Sequence, residues 1–388
     1  MASSINASTT TGLVSTADLS GILNLQSNGT TIATVQSTGF SLPTASTINA
    51  ANTFGFKNRI INGGMVIDQR NAGAATANTI NGYTLDRWAV GQDVSGKVIV
   101  QQNAGSVTPP TGFINYLGIT SQSAYAVTST QQFYLQQPIE GLNVADLGWG
   151  TANAKTVTLS FQVYSSLTGT FGGALKNSST ARSYPFSYSI SVANTWTSIS
   201  VTIAGDTSGT WLTTNGVGIY VAFGLGVGST LSGTSGAWAG ANYTSVTGAT
   251  SVVGTSGATF YITGVQLEVG SQATSFDFRD YGREFILCQR YYEILGGGGF
   301  VGRATGATTA EGASTFCVTK RALPTITLIN GTNTLLQLSV SVVSFSTLSA
   351  TPSYNSSYMA IDGASGLTSG NLCIFYSSTK IASVSSEL

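Results

Sequence analysis

The sequence has few charged residues: Asp, Glu, Lys and Arg together make up 8% of its 388 residues, against about 25% in an average globular protein. Lys plus Arg and Asp plus Glu number 15 each, so the net charge is zero. The surface must therefore be covered mainly by Ser, Thr, Asn and Gln, which resist association less well than Lys and Glu do. This composition favours a protein that buries much of its surface in an assembly. It argues against nucleic acid as a partner, since a nucleic-acid-binding face needs clustered Lys and Arg.

Histidine is absent, which removes the commonest general base and the commonest metal ligand. The three cysteines, Cys288, Cys317 and Cys373, are far apart, form no CxxC pair and are odd in number. This pattern favours buried free thiols over a disulfide framework or a metal site. We therefore expect no cofactor and no bound metal.

Long apolar runs are also missing, since no segment approaches the roughly 18 consecutive apolar residues of a transmembrane helix. The N-terminus reads MASSINASTTTGLVSTADL. It has neither the basic region nor the apolar core of a secretory signal. We therefore expect a protein that is made in a cytoplasm and inserts into no membrane.

The central part of the chain alternates apolar with weakly polar residues. The alternation is clear over residues 157–163, 186–192, 199–203 and 217–225. Each stretch has one apolar face, which is typical of antiparallel strands with one solvated side, and Gly- and Asn-rich turns separate them. The pattern predicts an all-β chain with an antiparallel β-sandwich of the jelly-roll type over residues 58–278.

The alternation changes phase at Gly264, within FYITGVQLEV. Phe260 and Ile262 share one parity, whereas Val265 and Leu267 share the other. A β-bulge at Gly264 would turn both sets towards the core.

Residues 1–57 form an N-terminal segment that is rich in Ser, Thr and Asn. Asn28-Gly29 is a strong hairpin signal between two short apolar stretches. The segment has too few apolar residues to bury a core alone. It is either disordered or a stalk whose strands pair with those of sister chains.

Residues 279–299 are predicted to be a helical linker that ends in a glycine run. An apolar stripe at helical spacing supports a helix over residues 279–295; its members are Phe285, Cys288, Tyr292 and Leu295. Residues 300–388, which follow, alternate again and predict a smaller β domain.

The linker also concentrates charge, in a chain that has little; the residues are Arg279, Asp280, Arg283, Glu284 and Arg290. Two explanations remain open. The charges could pair between the chains of a helical bundle, or they could pair within one chain on a solvated helix.

Four parts of the sequence resemble phage tail and virion fibre proteins. The first is ILNLQSNGTTIATV followed by GFSLPTASTINA, and the second is KNRIINGGMVIDQRNAG followed by YTLDRWAV. The third is QQPIEGLNVADLGWGTANAKTVTLSFQVYSSLTGTF with RSYPFSYSI downstream, and the fourth is FYITGVQLEVGSQATSFDFRDYGREFILCQRYYE. They cover roughly residues 10–295, and the central module resembles a carbohydrate-binding jelly roll.

The resemblance implies a homotrimeric fibre on a virion, made in the host cytoplasm. Its N-terminal segment would attach to other virion proteins, and residues 300–388 would form the distal tip. The fibre would contact a host-surface glycan. A capsid-attached fibre or decoration protein without glycan specificity is the first alternative.

A polysaccharide-degrading tailspike is the second alternative. Glycoside hydrolysis needs two carboxyl groups across one cleft. The candidates Asp86, Glu140, Asp206 and Glu268 are scattered singly along the sequence. We therefore expect no enzyme and assign no catalytic residue.

Three aromatic residues, Trp211, Trp238 and Tyr243, are the candidates for glycan binding. Trp238 and Tyr243 lie in a loop of residues 228–258 that is rich in Gly, Ser and Thr. An exposed ring can stack on the C–H face of a sugar while nearby amides and hydroxyls bond its hydroxyl groups. The alternative is that this loop packs against a neighbouring subunit.

Two further polar positions are assigned structural roles. Asp86 and Arg87 are expected to form an ion pair beside a core tryptophan, Trp88. Glu268 is expected to be either a buried acid that accepts backbone hydrogen bonds or a ligand of a structural calcium. The absence of an Asp-rich loop favours the metal-free alternative.

Overall fold

The computed structural model confirms an all-β chain with several antiparallel sheets. Two compact units are present, residues 1–55 and residues 56–388. The structure describes residues 22–27, 30–36, 39–41, 56–77, 82–296, 298–329, 334–337, 341–375 and 380–388. Within these ranges, no helix is long and apolar enough to cross a membrane.

The N-terminal unit contains a three-stranded antiparallel sheet. Its strands are β1 (Leu23–Ser27), β2 (Thr30–Gln36) and β3 (Gly39–Ser41). Ser27 pairs with Thr30, so β1 and β2 form the predicted hairpin, although Asn28 and Gly29 themselves lie outside the described residues. Most of the predicted anchor segment also lies outside them.

The central part of residues 56–388 is a sandwich of two six-stranded antiparallel sheets. The front sheet has the order β13-β10-β17-β8-β7-β4, and the back sheet has the order β12-β11-β14-β9-β6-β5. In chain order the strands are β4 (Thr76–Ala77), β5 (Gly82–Leu85), β6 (Trp88–Gln92), β7 (Val98–Gln102), β8 (Leu117–Ser121), β9 (Gln132–Glu140), β10 (Val157–Ser165), β11 (Gly169–Lys176), β12 (Ser183–Ile190), β13 (Thr197–Ile203), β14 (Val217–Val227), β15 (Ser232–Gly233), β16 (Ser245–Val246) and β17 (Thr259–Val269). Strands β15 and β16 form a short parallel pair outside the two sheets.

The inner faces of the two sheets enclose one hydrophobic core. Phe161 of the front sheet meets Phe223 of the back sheet edge-on, with ring centroids 5.0 Å apart, and Trp88 is fully buried beside them. Each buried side chain of this size stabilises the fold by about 1.5–3 kcal/mol relative to its exposed state. The alternating residues of β10 and β17 thus define which face of the front sheet is buried.

The β-bulge predicted at Gly264 is present in β17. Ser160 pairs with Gln266, whereas Gln162 pairs with Thr263, so one residue of β10 opposes two of β17. Gly264 adopts a left-handed φ of +61°, a conformation that costs glycine little. Phe260, Ile262, Val265 and Leu267 are all fully buried as a result.

The predicted helix is shorter than the sequence suggested. Helix α1 covers Tyr281–Gln289, with the Asp280 side chain accepting a hydrogen bond from the Arg283 amide at its start. The prediction of a helix up to residue 295 is wrong, because the chain turns into strand β18 (Tyr292–Leu295). Tertiary contacts override the helical spacing of the apolar residues: the buried Tyr291 hydroxyl bonds Glu140 at 2.6 Å, and Arg290 binds the same carboxylate at 2.7 Å.

The charges around α1 pair within one chain. Arg279 binds Glu284 at 3.2 Å, and Arg290 binds Glu140 on β9. Glu284 is buried and also accepts a hydrogen bond from the Asn62 amide. Arg279, Glu284 and Arg290 thus have ion-pair partners within the chain, and pairing of the linker charges between chains stays a prediction.

The C-terminal part contains two further antiparallel sheets. Its strands are β19 (Val301–Ala304), β20 (Ala310–Thr315), β21 (Thr325–Leu328), β22 (Thr334–Gln337), β23 (Ser341–Ser344), β24 (Thr347–Pro352), β25 (Ser356–Asp362), β26 (Leu372–Phe375) and β27 (Ala382–Ser385). A three-stranded sheet has the order β18-β27-β21, and the seven-stranded sheet has the order β23-β22-β26-β19-β20-β25-β24. Because β18 follows α1 directly and pairs with β27, the segment predicted as a linker is built into this part of the fold.

Two further sequence expectations are corrected. Asp86 and Arg87 do not pair with each other: Asp86 binds Gln69, and Arg87 forms a buried ion pair with Glu387. All three cysteines are free, but Cys317, after the end of β20, is exposed rather than buried. Left-handed backbone at Arg87 (φ 69°) directs successive side chains apart, which a sequence pattern does not reveal.

Candidate functional site

Two of the predicted glycan contacts lie in a compact aromatic cluster. Trp149, Trp211 and Trp238, here called the tryptophan cluster, pack edge to face with ring centroids 4.8–5.4 Å apart. Trp149 is buried, and the other two are half-buried against the sandwich core. The cluster therefore closes one end of the hydrophobic core.

The indole N–H groups of the tryptophan cluster are already bonded within the chain. Trp149 donates to the Lys155 carbonyl at 2.8 Å, Trp211 to the Ser208 carbonyl at 3.1 Å, and Trp238 to the Ala204 carbonyl at 2.7 Å. These donors are not free for a sugar hydroxyl, so the cluster has the character of packing rather than of an open platform. A sugar contact at Trp211 or Trp238 stays a prediction.

The side chain of Tyr243, the third predicted contact, packs outside the tryptophan cluster. Its half-buried ring packs directly over Gly233 of β15, where a side chain would collide with it. The Tyr243 amide donates to the Ser183 hydroxyl at 3.2 Å. Tyr243 thus fixes the loop onto β12, and its contact with a sugar also stays a prediction.

A larger open groove runs over the outer face of the front sheet. Its floor, here called the hydroxyl floor, consists of outward-facing residues of β10 and β13: Ser160, Gln162, Ser198 and Ser200. Ser160 lies opposite Ser200 and Gln162 opposite Ser198 in the ladder. The Ser198 hydroxyl donates a hydrogen bond to the side-chain amide oxygen of Gln162 at 2.9 Å. Their remaining donors and acceptors face the groove, which has a volume of about 420 Å³.

One side of the groove is formed by three phenylalanines, here called the phenylalanine wall. Phe113, Phe276 and Phe278 pack together with ring centroids 4.9–5.4 Å apart. Phe278 is 63% exposed, so much of its ring is open to solvent. The wall therefore presents an aromatic surface beside the hydroxyl floor.

The bulge at Gly264 places the phenylalanine wall. A Cβ atom at Gly264 would come within 2.6 Å of the Phe113 ring, so only glycine allows that ring to lie on β17. Phe276 and Phe278 follow β17 in the chain and are held by the Asp277 amide, which donates to the Gln266 side chain at 2.8 Å. Contacts with Gly264 and Gln266 of β17 thus hold all three rings against the front sheet.

A smaller pocket of about 200 Å³ continues the groove behind the wall. Gly112 and the three phenylalanines line both spaces. Its charged residues are Asp277, Arg279 and Glu284. Arg279 lies 3.8 Å from Asp277 and 3.2 Å from Glu284. The pocket is therefore mainly apolar, with its charges paired.

Each of the carboxylates considered as catalytic candidates has its own partner within the chain. Glu140 binds Arg290 and Asp206 binds Arg182 at 2.6 Å. Asp86 binds Gln69, where burial raises the carboxyl pKa to about 6. Glu268 is fully buried and accepts from the Thr274 amide at 2.9 Å, as the first of the two sequence alternatives predicted. Among the described residues, no group of three or more Cys, Asp or Glu side chains could hold a metal ion.

Sequence reasoning missed the phenylalanine wall and the hydroxyl floor. The alternation in SFDFRD after the end of β17 was the available signal, since it places Phe276 and Phe278 on one side of an extended segment. Phe113 carried no such signal, because it reaches the other two only through the fold. The hydroxyl floor was visible as the polar face of β10 and β13 but could not be told from an ordinary solvated face.

No family model matches the chain, and no curated protein is similar to it in sequence. The solved structures similar to it include carbohydrate-binding modules and a phage tailspike domain. A putative sugar-binding protein from Bacteroides thetaiotaomicron is 14% identical with a TM-score of 0.32, over 55% of this chain and 100% of that one. A family 11 carbohydrate-binding module from Clostridium thermocellum, in complex with a mixed-linked tetrasaccharide, is 13% identical with a TM-score of 0.27, over 50% and 96%. The enzymatically active domain of tailspike protein 4 from bacteriophage CBA120 is 12% identical with a TM-score of 0.30, over 55% of this chain, which spans about a fifth (21%) of that one.

Proposed function

We propose that this chain is a structural protein of a phage virion fibre and that it binds a surface glycan through the groove on its front sheet. The observation that carries the binding proposal is the pairing of the hydroxyl floor with the phenylalanine wall. A sugar ring has apolar C–H faces that stack on aromatic rings and hydroxyl groups that bond to Ser and Gln side chains. The groove offers both kinds of contact side by side.

Binding is tested by screening the protein on a glycan array and measuring the affinity for each hit by calorimetry. Phe278→Ala should weaken binding roughly tenfold, since one aromatic stack is worth about 1–1.5 kcal/mol. Tyr281→Ala is the matched control, because Tyr281 is 66% exposed and lies outside the groove. Absence of any specific glycan binding, or equal affinity of Phe278→Ala and the unaltered protein, would contradict the proposal.

We also propose that the groove binds without hydrolysing. Glycoside hydrolysis needs one carboxylic acid and one carboxylate that both face the substrate. The two carboxylates that line the pocket, Asp277 and Glu284, both lie against the guanidinium of Arg279. Reducing-end release from a polysaccharide that the protein binds would contradict this part of the proposal.

The placement on a virion is supported by the resemblance of the sequence and by its low charge. A homotrimer would multiply weak glycan contacts, because later contacts become intramolecular. The N-terminal unit would attach the fibre to other virion proteins. Immunogold microscopy with antibody against residues 300–388 tests this: gold at the ends of tail appendages supports a tail fibre, and gold over the head makes it a capsid fibre or decoration protein.

A further inference from the structure

The phenylalanine wall lines two spaces that differ in size and chemistry. The groove with its hydroxyl floor is one, and the pocket of about 200 Å³ is the other. Pockets that hold a whole drug-sized molecule measure about 300–1,000 Å³. The pocket is therefore sized for one part of a ligand, and the shared wall places that part beside whatever the groove binds.

The pocket is lined mainly by apolar side chains and glycine. Ile114 is 76% exposed and Phe278 63% exposed, so two of the lining side chains are open to solvent. The other apolar and glycine residues of the lining are Gly63, Gly64, Val66, Gly112, Phe113 and Phe276. Such a surface favours a small apolar group of a ligand, because covering it removes apolar area from water.

The polar groups of the pocket are engaged within the chain, apart from one carboxylate that keeps acceptor capacity. The Asn58 side chain bonds three backbone groups at 2.9–3.2 Å. Arg279 donates to the carbonyls of Asn58 and Ile60 and to Glu284. The Asp277 carboxylate accepts from the Asn58 amide at 3.4 Å, and its side chain is 32% exposed. Since a carboxylate has about four acceptor sites, Asp277 can accept a further hydrogen bond from a ligand.

The charges around the two spaces select against an acidic sugar. Among the described residues, those that line the groove carry no charge, and the ammonium of Lys57 lies outside the lining and donates to the Ser275 carbonyl. In the pocket, the Arg279 side chain is only 5% exposed, whereas Asp277 is 32% exposed. A uronic or sialic acid would lose hydration there without gaining a free cation. A neutral glycan fits both spaces.

We propose that the groove binds a neutral glycan with N-acetylated amino-sugar units and that the acetyl methyl group of one unit lies in the pocket. The methyl group covers the apolar lining, and the amide N–H donates to Asp277. An O-acetyl ester would cover the same surface but would leave the carboxylate without a donor. This inference rests on the groove proposed above as the binding site, and it names the ligand class of that site.

The first test is calorimetric titration of the full chain with oligosaccharides of N-acetylglucosamine and of N-acetylgalactosamine. Each is compared with its glucose or galactose counterpart and with its de-N-acetylated form. One of the two N-acetylated ligands should bind at least about tenfold more tightly than its counterpart, since one methylene in a hydrophobic pocket changes selectivity by about 10–200-fold. The de-N-acetylated form carries a cation but no methyl group, so it should not match the N-acetylated ligand.

The second test fills the pocket and leaves the groove unchanged, by the substitution Gly64→Leu. A Cβ atom at Gly64 would lie 3.9 Å from Phe276 and from Val66, which is ordinary contact, and Gly64 does not line the groove. The variant should bind the N-acetylated ligand roughly tenfold more weakly and its unacetylated counterpart as the unaltered protein does. Gly240→Leu is the matched control, because a Cβ at Gly240 meets nothing within 4 Å; it should bind both ligands normally.

The outcomes separate the ligand class from the groove itself. Absence of specific binding to any glycan on an array would overturn both. Binding that Phe278→Ala weakens, with no preference for N-acetylated ligands or with a preference for acidic ones, would overturn the ligand class alone. So would a Gly64→Leu protein that keeps the full preference. If Gly64→Leu does not fold by circular dichroism, Gly64→Ala gives the same test with a smaller group in the pocket.

Discussion

The ring of Phe113 lies directly over Gly264, at a distance that leaves no room for a side chain there. Gly264 is also the bulged residue of β17 and has a left-handed φ of +61°. One glycine thus serves two purposes: it lets β17 change phase, and it lets the phenylalanine wall rest on the front sheet. The stability of the sandwich and the shape of the groove are linked at this position.

Gly264→Ala should therefore weaken both folding and glycan binding. The left-handed conformation costs a non-glycine residue about 1–2 kcal/mol, and the new Cβ would also displace the Phe113 ring. We expect the free energy of unfolding in urea to fall by roughly 2–3 kcal/mol. Gly240→Ala is the control, because a Cβ at Gly240 meets nothing within 4 Å. Equal stability of the two variants would show that Phe113 does not depend on Gly264.

Glu387→Gln should destabilise the protein by roughly 3 kcal/mol, because removing one partner of a buried ion pair leaves the other charge unpaired. Arg87 is fully buried, and its guanidinium also lies 3.6 Å from the centre of the Tyr291 ring. Arg70 lies 2.8 Å from the same carboxylate, and the glutamine leaves one uncharged oxygen for two guanidinium groups that now bond one oxygen each. The measurement is equilibrium unfolding in urea.

The control for this change is Lys155→Gln. Lys155 is 50% exposed, and its ammonium lies 4.0 Å from the Asp146 carboxylate. Such surface pairs contribute about 0–1 kcal/mol, so the unfolding free energy should hardly move. If Glu387→Gln lowers the free energy of unfolding by less than 1 kcal/mol, water reaches Arg87 in the folded protein.

The strands and the bulge could be predicted because their signals are local. Alternation over a few residues fixes which side of β10 or β17 is buried, and a change of parity at Gly264 reveals the bulge. The end of α1 could not be predicted in this way. Tyr292 and Leu295 continue the helical spacing of Cys288, whereas the strand depends on distant contacts: the Tyr291 hydroxyl bonds Glu140, and β18 pairs with β27.

The candidate sites were harder to predict, because they depend on contacts between distant parts of the chain. Arg87 and Glu387 are 300 residues apart, so the neighbouring Asp86 looked like the partner. Trp211 and Trp238 looked like exposed loop aromatics because Gly, Ser and Thr surround them in the sequence. Their packing on Trp149 depends on the fold.

Asp86 should make the stability depend on pH. Burial raises its carboxyl pKa to about 6, against the opposing charge of Arg70 and the hydrogen bonds from Gln69. The Asp86 carboxyl therefore binds its proton more tightly in the folded protein than in the unfolded chain, where the pKa of an Asp carboxyl is about 3.9. This contribution to stability grows as the pH falls from about 6 to about 4 and is lost as the pH rises through the same window.

The comparison that isolates this effect is between the unaltered protein and Asp86→Asn, unfolded in urea from pH 4 to pH 7. The asparagine keeps an acceptor for Gln69 but cannot titrate. The stability of the unaltered protein relative to Asp86→Asn should rise by roughly 2–3 kcal/mol between pH 7 and pH 4. A difference that does not change with pH would mean that the Asp86 carboxyl is not perturbed.

Truncating a side chain of the tryptophan cluster should lower stability, whereas truncating one of the phenylalanine wall should lower glycan affinity. Trp238→Ala removes a ring that packs on Trp149, Trp211 and Tyr184, so we expect a loss of about 2–4 kcal/mol of stability and unchanged glycan affinity in the folded protein. Phe278→Ala removes an exposed ring, so stability should hold within about 1 kcal/mol while affinity falls. Unfolding in urea and calorimetric titration of both variants check this. The reverse result, a stable Trp238→Ala protein that no longer binds glycan, would show that the sequence-predicted contact is the binding site, because a ring that only closes the core cannot be removed without cost to folding.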